Sequence, residues 1–159
     1  MSQSATSAPP PPAVMMQLLN GKHIAYCLSA LARLGVADHM TAELRSAEDI
    51  AAASGVHAPS LYRVLRMLAS VGVFAQDGRS FGLTPVSDLL RTGAPGSLRY
   101  LAWTSGDGWA TSAVANLDHC LLTGEDGVTK AYGKSTFAMM AEHPDQLEVF
   151  QRAMSNLSA

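Results

Sequence analysis

The sequence is poor in charged residues, aromatic residues and cysteine. Charged side chains make up 15% and aromatic side chains 6% of its 159 residues, and its only cysteines are Cys27 and Cys120. Both lie in apolar helical patterns with no second cysteine nearby, so we expect two buried free thiols and a reducing, cytoplasmic location. The formal net charge of −2 offers no attraction to nucleic acid or to an anionic membrane. Low charge also fits a protein that buries part of its surface against a partner.

Signals for export or membrane insertion are also lacking. Residues 1–13, MSQSATSAPPPPA, contain no basic segment followed by an apolar one, so they do not resemble a secretory signal. Their Ser, Ala and Pro content predicts a disordered tail. No apolar run approaches the ~20 residues that span a bilayer. We therefore expect no membrane partner.

The sequence contains no recognisable catalytic, cofactor-binding or metal-binding motif. Its histidines lack the spacing of zinc ligands, both among themselves and relative to the cysteines; they are His23, His39, His57, His119 and His143. Gly106-Asp107-Gly108 is the closest approach to a nucleotide-binding loop, which needs a preceding strand and a third glycine. Residues 100–104 are long enough for the strand, but the third glycine is absent, so we predict a turn. We expect no catalytic residue, no cofactor-binding residue and no metal ligand in this chain.

Residues 46–84 are the most informative stretch, because they have the layout of a winged helix. Ser46 followed by Asp49 is a helix-capping pattern, and Gly55 supplies the left-handed residue that ends a helix. A second helix starts near Pro59 and carries an apolar stripe, which consists of Leu61, Val64, Leu65 and Leu68. Two short strands, residues 73–75 and 81–83, flank Asp77-Gly78, a dipeptide favoured in hairpin turns. The pattern predicts a helix-turn-helix with a two-stranded wing.

Helices are predicted on both sides of the winged helix. Apolar residues at helical spacing follow Val14 and stop at Gly35; they are Ile24, Cys27, Leu28, Leu31 and Leu34. We expect residues 14–93 to form one domain, bounded by a glycine- and proline-containing linker at 93–96. In residues 94–159 the pattern predicts a helix with an apolar face over 109–121 that ends at Thr123-Gly124, a loop at 125–133, a helix capped by Ser135 and a last helix from Pro144. The predicted fold class is mainly α with a small β-wing.

A winged helix often binds DNA, so a transcriptional regulator with a ligand-binding helical C-terminus is the alternative function. Arg63, Arg66 and Arg79 occupy places where a regulator contacts DNA. Between residues 36 and 93, however, there are five arginines, no lysine and six acidic residues, a net charge of −1. Specific DNA binders neutralise about 6–10 phosphates. We expect no nucleic-acid partner, and we expect Arg63 and Arg66 to pair with acidic residues of a neighbouring helix or of a dimer partner.

Several segments resemble, in order and spacing, the front half of the S-adenosylmethionine-dependent small-molecule O-methyltransferases. They are ALARLGVADHM, SLYRVLRMLASVGVF, LTPVSDLLR, LLTGEDGVTKAYGKSTF and VFQRAMSNLS. This family includes plant caffeic-acid-type enzymes and bacterial enzymes that act on natural products. The resemblance implies a winged-helix region that holds a homodimer and helices that cap a small, aromatic, hydroxylated acceptor. S-adenosylmethionine binding and the catalytic histidine belong to a separate Rossmann-like domain. The resemblance implies that this chain stops before that domain and alone is inactive.

The resemblance also implies roles for individual residues. Phe150 and Met154 match positions that contact the acceptor ring, and Met140 matches a nearby pocket position that is often histidine. Trp109 resembles a tryptophan on the same helix. On the first helix, we expect the dimer interface to contain Ile24, Leu28 and Leu31. The expected partners are a second copy and a small-molecule acceptor; a complete paralogue, bound as a hetero-dimer, is a further partner that the sequence leaves open.

Overall fold

The first element is a long helix that starts earlier than the sequence predicts. The computed structural model describes residues 9–157, with side chains to residue 156, and the predicted disorder of residues 1–8 lies outside them. Helix α1 spans Pro11–Leu34 and is closed by Gly35, whose φ of 66° is left-handed. The predicted tail, residues 1–13, is therefore too long at its C-terminal end. Pro11 and Pro12 belong to the helix because prolines are tolerated in a first turn, where no amide hydrogen is required.

The winged helix forms as predicted. After a 3₁₀ turn at Val36–His39 come strand β1 (Arg45–Ser46), helix α2 (Ala47–Ser54) and helix α3 (Ala58–Ser70). The Ser46 hydroxyl accepts the amide of Asp49 at 3.0 Å, which is the predicted cap. Gly55 ends α2 with a φ of 69°. The caps therefore fix both ends of the first helix of the pair.

The wing has one strand more than predicted. Strands β2 (Phe74–Asp77) and β3 (Ser80–Leu83) form the expected antiparallel hairpin. Strand β1 pairs with the other edge of β3, which gives the order β1-β3-β2. Two residues are too few to show a strand periodicity, so the sequence could not reveal β1. Gly82 lets the segment before β1 approach β3, since an added Cβ would lie 2.7 Å from the Ala42 carbonyl oxygen.

The core lies between the C-terminal half of α1, the helix pair and the wing. The predicted stripe of α3 faces it, with Leu61, Leu65 and Leu68 buried and Val64 partly buried. The other buried apolar residues of this core are Leu31, Ala32, Val36, Ala37, Met40, Ala47, Ile50, Ala51, Val73, Phe74, Phe81 and Leu90. This single cluster makes the winged helix and α1 one packed unit.

The C-terminal part is a chain of short helices, which departs from the prediction. They are α4 (Pro85–Asp88), α5 (Arg99–Thr104), α6 (Gly108–Ala115), α7 (Leu117–Thr123), α8 (Gly127–Tyr132), α9 (Thr136–Ala141) and α10 (Pro144–Leu157). The predicted cap at Ser135 and the start at Pro144 are confirmed, and Thr84 caps α4.

Two predictions in this part were wrong, and residues 100–104, which are long enough for a strand, are helical. The single helix over 109–121 breaks at Asn116, whose side chain donates to the Ser112 carbonyl at 2.8 Å and so competes with the helical hydrogen bonds. The predicted loop at 125–133 contains α8, which Asp126 caps through the amides of Val128 and Thr129.

A network of hydrogen bonds and an ion pair joins the end of α1 to the segment after the wing. Arg99 Nε donates to the Ala32 carbonyl at 2.8 Å, and its Nη1 lies 3.1 Å from Asp38 Oδ2. The amide and hydroxyl of Thr92 both donate to Asp38, each at 2.7 Å. Burial raises the pKa of Asp38, but the Thr92 hydrogen bonds and the Arg99 and Arg91 charges outweigh it, so the net pKa is lowered. The ionised carboxylate therefore stabilises the fold.

Asp38→Asn is expected to lower the free energy of unfolding by about 1–2 kcal/mol at neutral pH, because charge-assisted hydrogen bonds are lost. A carboxylate with a lowered folded pKa contributes its stability above its ordinary pKa and loses it as the pH falls through the folded value. The difference between wild type and Asp38→Asn should therefore shrink below about pH 4. Chemical denaturation at several pH values measures it. Asp88→Asn, which breaks an exposed ion pair with Arg91, is the matched control and should cost under about 0.5 kcal/mol.

Candidate functional site

The N-terminal half of α1 projects from the fold without packing against it. Every residue from 9 to 23 is exposed. Its large apolar side chains point in several directions around the helix; they are Val14, Met15, Met16, Leu18 and Leu19, of which Leu18 is 69% exposed. A helix that is apolar on all sides is normally buried, and a short unpacked helix is marginal in water. This half of α1 therefore has the properties of a binding element.

An apolar groove opens beside the packed half of the same helix. It has a volume of about 350 Å³ and lies between α1, the wing, α4 and α5; its lining residues are Ala25, Leu28, Val73, Val86, Leu89, Leu90, Leu98, Leu101, Ala102 and Ser105. All of these side chains except Ser105 are apolar. The groove suits apolar side chains of a partner rather than a charged ligand.

The three residues predicted for a dimer interface differ in their exposure. Leu31 is 3% exposed and belongs to the chain's own core, so it leaves a partner almost no surface to bury. Ile24 and Leu28 are half-buried against that core, and Leu28 also lines the groove. Their role in a dimer stays a prediction. Residues 14–19, where apolar side chains surround the helix, are more exposed than these three.

Helix α10 is held against α5 by a polar clamp. Arg152 Nη1 donates to the Tyr100 hydroxyl at 2.6 Å and Nη2 pairs with Glu148 at 2.7 Å. The Arg152 guanidinium also lies 5.2 Å from the centre of the Tyr100 ring. Asn156 Nδ2 donates to the Ser97 carbonyl at 2.7 Å. These contacts fix the rotation of α10 about its axis and so the direction of its apolar side chains.

Two of the four predicted acceptor-lining residues are in contact. Trp109 and Phe150 pack edge to face, with ring centres 5.7 Å apart and an interplanar angle of 83°. The buried indole N–H of Trp109 forms no hydrogen bond of ordinary geometry. Met154 is 38% exposed, whereas Met140 is fully buried. Trp109, Phe150 and Met154 can thus contribute to a surface, but Met140 contacts a ligand only if its surroundings move.

An acidic cleft lies between the end of α1, the α5–α6 turn and α10. Its volume is about 390 Å³, and it is lined by Arg33, Trp103, Asp107, Asp145, Gln146, Glu148 and Val149. Burial raises the pKa of Asp107, and the nearby Asp145 raises it further. The charge of Arg33 and the indole N–H of Trp109 lower the pKa of Asp107, but by less than burial and Asp145 raise it. No sequence pattern predicted this cleft, since its residues come from three distant segments.

A second exposed apolar patch lies on α6 and α7. It consists of Val114, Leu117, Leu121 and Leu122. The sequence predicted one helix here with Leu117 and Leu121 on a shared apolar face, whereas the structure has two helices and both residues are exposed. Both cysteines are free and half-buried; the Cys27 sulfur lies 3.9 Å from that of Met67.

The arginines of the winged helix contact their own domain. Arg79 forms an ion pair with Glu48 and lies 4.2 Å from the Tyr62 ring centre, with Arg66 5.7 Å from the same centre. Arg63 donates to the Ser60 hydroxyl at 3.1 Å. Within residues 9–157, neither Arg63 nor Arg66 forms the expected ion pair with an acidic residue. The absence of a nucleic-acid partner stays a prediction.

The described residues do not fit an S-adenosylmethionine cradle. Gly106-Asp107-Gly108 joins α5 to α6, so the glycines follow a helix rather than the strand that such a cradle requires. Gly106 serves packing instead, because an added Cβ would collide with Ser29 of α1. In the part of the chain that the structure describes, no three metal-ligating side chains cluster, and no helix is long and apolar enough to cross a bilayer.

In a comparison with known proteins, one family model covers both the projecting helix and the winged helix. Residues 16–93 match the family model of the O-methyltransferase dimerisation domain. Residues 16–93 are an O-methyltransferase dimerisation domain. The fold class predicted from the sequence and the family resemblance are both confirmed. The segment contains most of α1, the helix pair, the wing and α4, and therefore excludes α5 to α10.

One curated relative and two solved structures extend the likeness beyond the dimerisation domain. The phenazine O-methyltransferase PhzM of Lysobacter antibioticus is 37% identical over 149 residues, which cover 93% of this chain and 43% of the relative. The solved structure of LaPhzM superposes with a TM-score of 0.85 at 36% identity, over 94% of this chain and 45% of that chain. That of the O-methyltransferase NcsB1, in complex with S-adenosylmethionine and 2-hydroxy-5-methyl naphthoic acid, gives 0.67 at 32% identity, over 83% and 41%. The chain thus spans less than half the length of each relative.

Phe150→Leu is expected to lower the free energy of unfolding by about 1 kcal/mol beyond the loss of buried area, because the edge-to-face contact with Trp109 is removed. The near-ultraviolet circular dichroism of tryptophan should change with it. Phe137→Leu, at a position that is 72% exposed, is the control and should alter neither quantity. An unchanged tryptophan spectrum in Phe150→Leu would contradict the observed packing.

Proposed function

We propose that this chain is the dimerising and acceptor-capping portion of an S-adenosylmethionine-dependent O-methyltransferase that acts on a small, aromatic, hydroxylated molecule in the cytoplasm. The winged helix and α1 hold two copies together, and helices α5 to α10 cover the acceptor. Donor binding and proton transfer belong to groups outside the described residues.

The observation that carries the dimerisation half of this proposal is the exposed, apolar N-terminal half of α1. Residues 11–23 contribute nothing to the chain's own core, yet they are helical. A helix this apolar needs a partner to bury it, and the matched family is named for dimerisation. The groove lined by Ala25 and Leu28 gives the partner a place to bind. A second copy satisfies both requirements.

The capping half of the proposal rests on the paired rings and the clamped helix. Trp109 and Phe150 form a rigid aromatic corner, and Met154 adds an exposed thioether on the same helix as Phe150. Aromatic rings and adaptable thioethers suit a flat aromatic acceptor. Arg152 and Asn156 hold α10 in place, so this surface is preorganised. The phenazine for which the Lysobacter relative is named and the naphthoic acid bound in the NcsB1 structure are flat aromatic molecules of this kind.

Leu18→Glu is expected to weaken the dimer at least about tenfold, because a buried carboxylate without a partner costs well over 1.4 kcal/mol. Sedimentation equilibrium of wild type and variant measures the dissociation constants. Val71→Glu places the same charge on an exposed apolar residue outside α1 and should leave the dimer intact. A wild-type chain that is monomeric at all working concentrations would refute the proposed function.

Met154→Ala is expected to raise the KM for the acceptor about three- to tenfold while the KM for S-adenosylmethionine stays unchanged, because about 1 kcal/mol of apolar contact is lost. The test uses a chimera in which this chain replaces the matching segment of the Lysobacter relative, so that a catalytic domain is present. Val71→Ala, also at an exposed apolar position, is the control. Equal changes in both KM values would speak against an acceptor contact.

A further inference from the structure

The packed and the projecting halves of α1 share one apolar seam. Its residues alternate at intervals of four and three, the spacing of helices that pack along their length; they are Val14, Leu18, Gly21, Ala25 and Leu28. The first three are exposed, and the last two line the apolar groove. The exposed part of the seam is thus continuous with the apolar groove.

Gly21 stands in the middle of this seam with no role in the chain's own packing. Glycine inside a helix is destabilising compared with alanine. Its φ is not positive, so the backbone does not require glycine, and an added Cβ would meet nothing within 4 Å. The isolated chain therefore offers no reason for glycine at this position. Close approach of another helix is a reason, since only glycine lets two helix backbones come that near.

The seam is symmetric about Gly21. Val14 and Leu28 each lie seven residues away, and Leu18 and Ala25 lie three and four residues away. In a two-fold interface the same patch serves both copies. An antiparallel pair that crosses at Gly21 places Val14 of one copy opposite Leu28 of the other, and Leu18 opposite Ala25. The exposed part of each seam then reaches the partner's groove. The whole seam, from residue 14 to residue 28, is about 21 Å long.

We propose that a second copy of this chain packs its α1 antiparallel against α1, with the two-fold axis at Gly21 and with Val14 and Leu18 of each copy in the groove of the other. This inference rests on the proposed dimerisation and adds its geometry. The exchange is reciprocal, so each projecting half is buried by the other copy. It also explains why a helix-weakening residue stands in the least supported half of α1.

Substitution of Gly21 distinguishes an ordinary exposed position from a helix crossing, because the two predict opposite effects on dimer association. If Gly21 were only an exposed helical position, Gly21→Ala would strengthen the helix and leave association unchanged or tighter. At a helix crossing, Gly21→Ala is expected to raise the dimer dissociation constant, and Gly21→Leu to raise it at least about tenfold. Asn20→Ala and Asn20→Leu, one residue away and off the seam, are matched controls that should dimerise as wild type does.

A cysteine at the axis gives a second test that does not depend on destabilisation. A residue on a two-fold axis lies beside its own copy, and a disulfide needs Cα atoms about 4.4–6.8 Å apart. With Cys27 and Cys120 replaced by serine, Gly21→Cys is expected to form a covalent dimer on mild oxidation, and Asn20→Cys is not. Non-reducing electrophoresis gives the yield, and circular dichroism confirms that each variant is folded.

The outcomes distinguish this inference from the proposed function. A monomeric wild type refutes both. A dimeric wild type in which Gly21→Leu associates normally, or in which Gly21→Cys cross-links no better than Asn20→Cys, overturns the crossing at Gly21 and leaves dimerisation standing. Weakening by Gly21→Leu together with selective cross-linking of Gly21→Cys supports the proposed geometry.

Discussion

The contact between α5 and the C-terminal half of α1 is the constraint on which the rest of the structure depends. Ser29 donates its hydroxyl to the Trp103 carbonyl at 2.7 Å, and Gly106 leaves room for Ser29 at the end of α5. At the other end, Arg99 binds the Ala32 carbonyl at 2.8 Å. Because α10 in turn packs on α5 through Tyr100, α1 positions both the winged helix and the helices that follow it.

Under the proposed function, this arrangement links association to the surface that caps the acceptor. In our proposal one half of α1 is buried in the chain's own core and the other in a second copy, so α1 is a continuous element that crosses from one unit to its partner. Movement of α1 would shift α5, and α5 carries the α10 clamp that orients Phe150. A dimer that holds α1 still therefore also stiffens the aromatic corner. Preorganisation of this kind reduces the entropic cost of binding a ligand.

The sequence predicted those parts whose signals are local. The cap at Ser46, the αL glycine at Gly55 and the stripe of α3 each depend on a few neighbouring residues, and the structure confirms them. The break at Asn116 was missed because a single side-chain hydrogen bond decided it. The pairing of Trp109 with Phe150 and the acidic cleft at Asp107 join segments far apart in the chain, and no periodicity encodes such contacts. The acceptor-lining roles stay predictions, and they came from resemblance rather than from pattern.

The winged helix shows how a fold shared with DNA-binding proteins can serve another purpose. A regulator needs its arginines extended toward phosphates, whereas here Tyr62 attracts two of them. Its ring packs edge to face on Phe81 at 5.9 Å and lies beneath the guanidinium of Arg79, which also pairs with Glu48. The basic side chains thus hold α2, α3 and the wing together. The cation–π contacts and the ion pair reduce the positive charge that these arginines present to solvent. The exposed apolar surface of α1 is therefore the stronger candidate for binding a macromolecule.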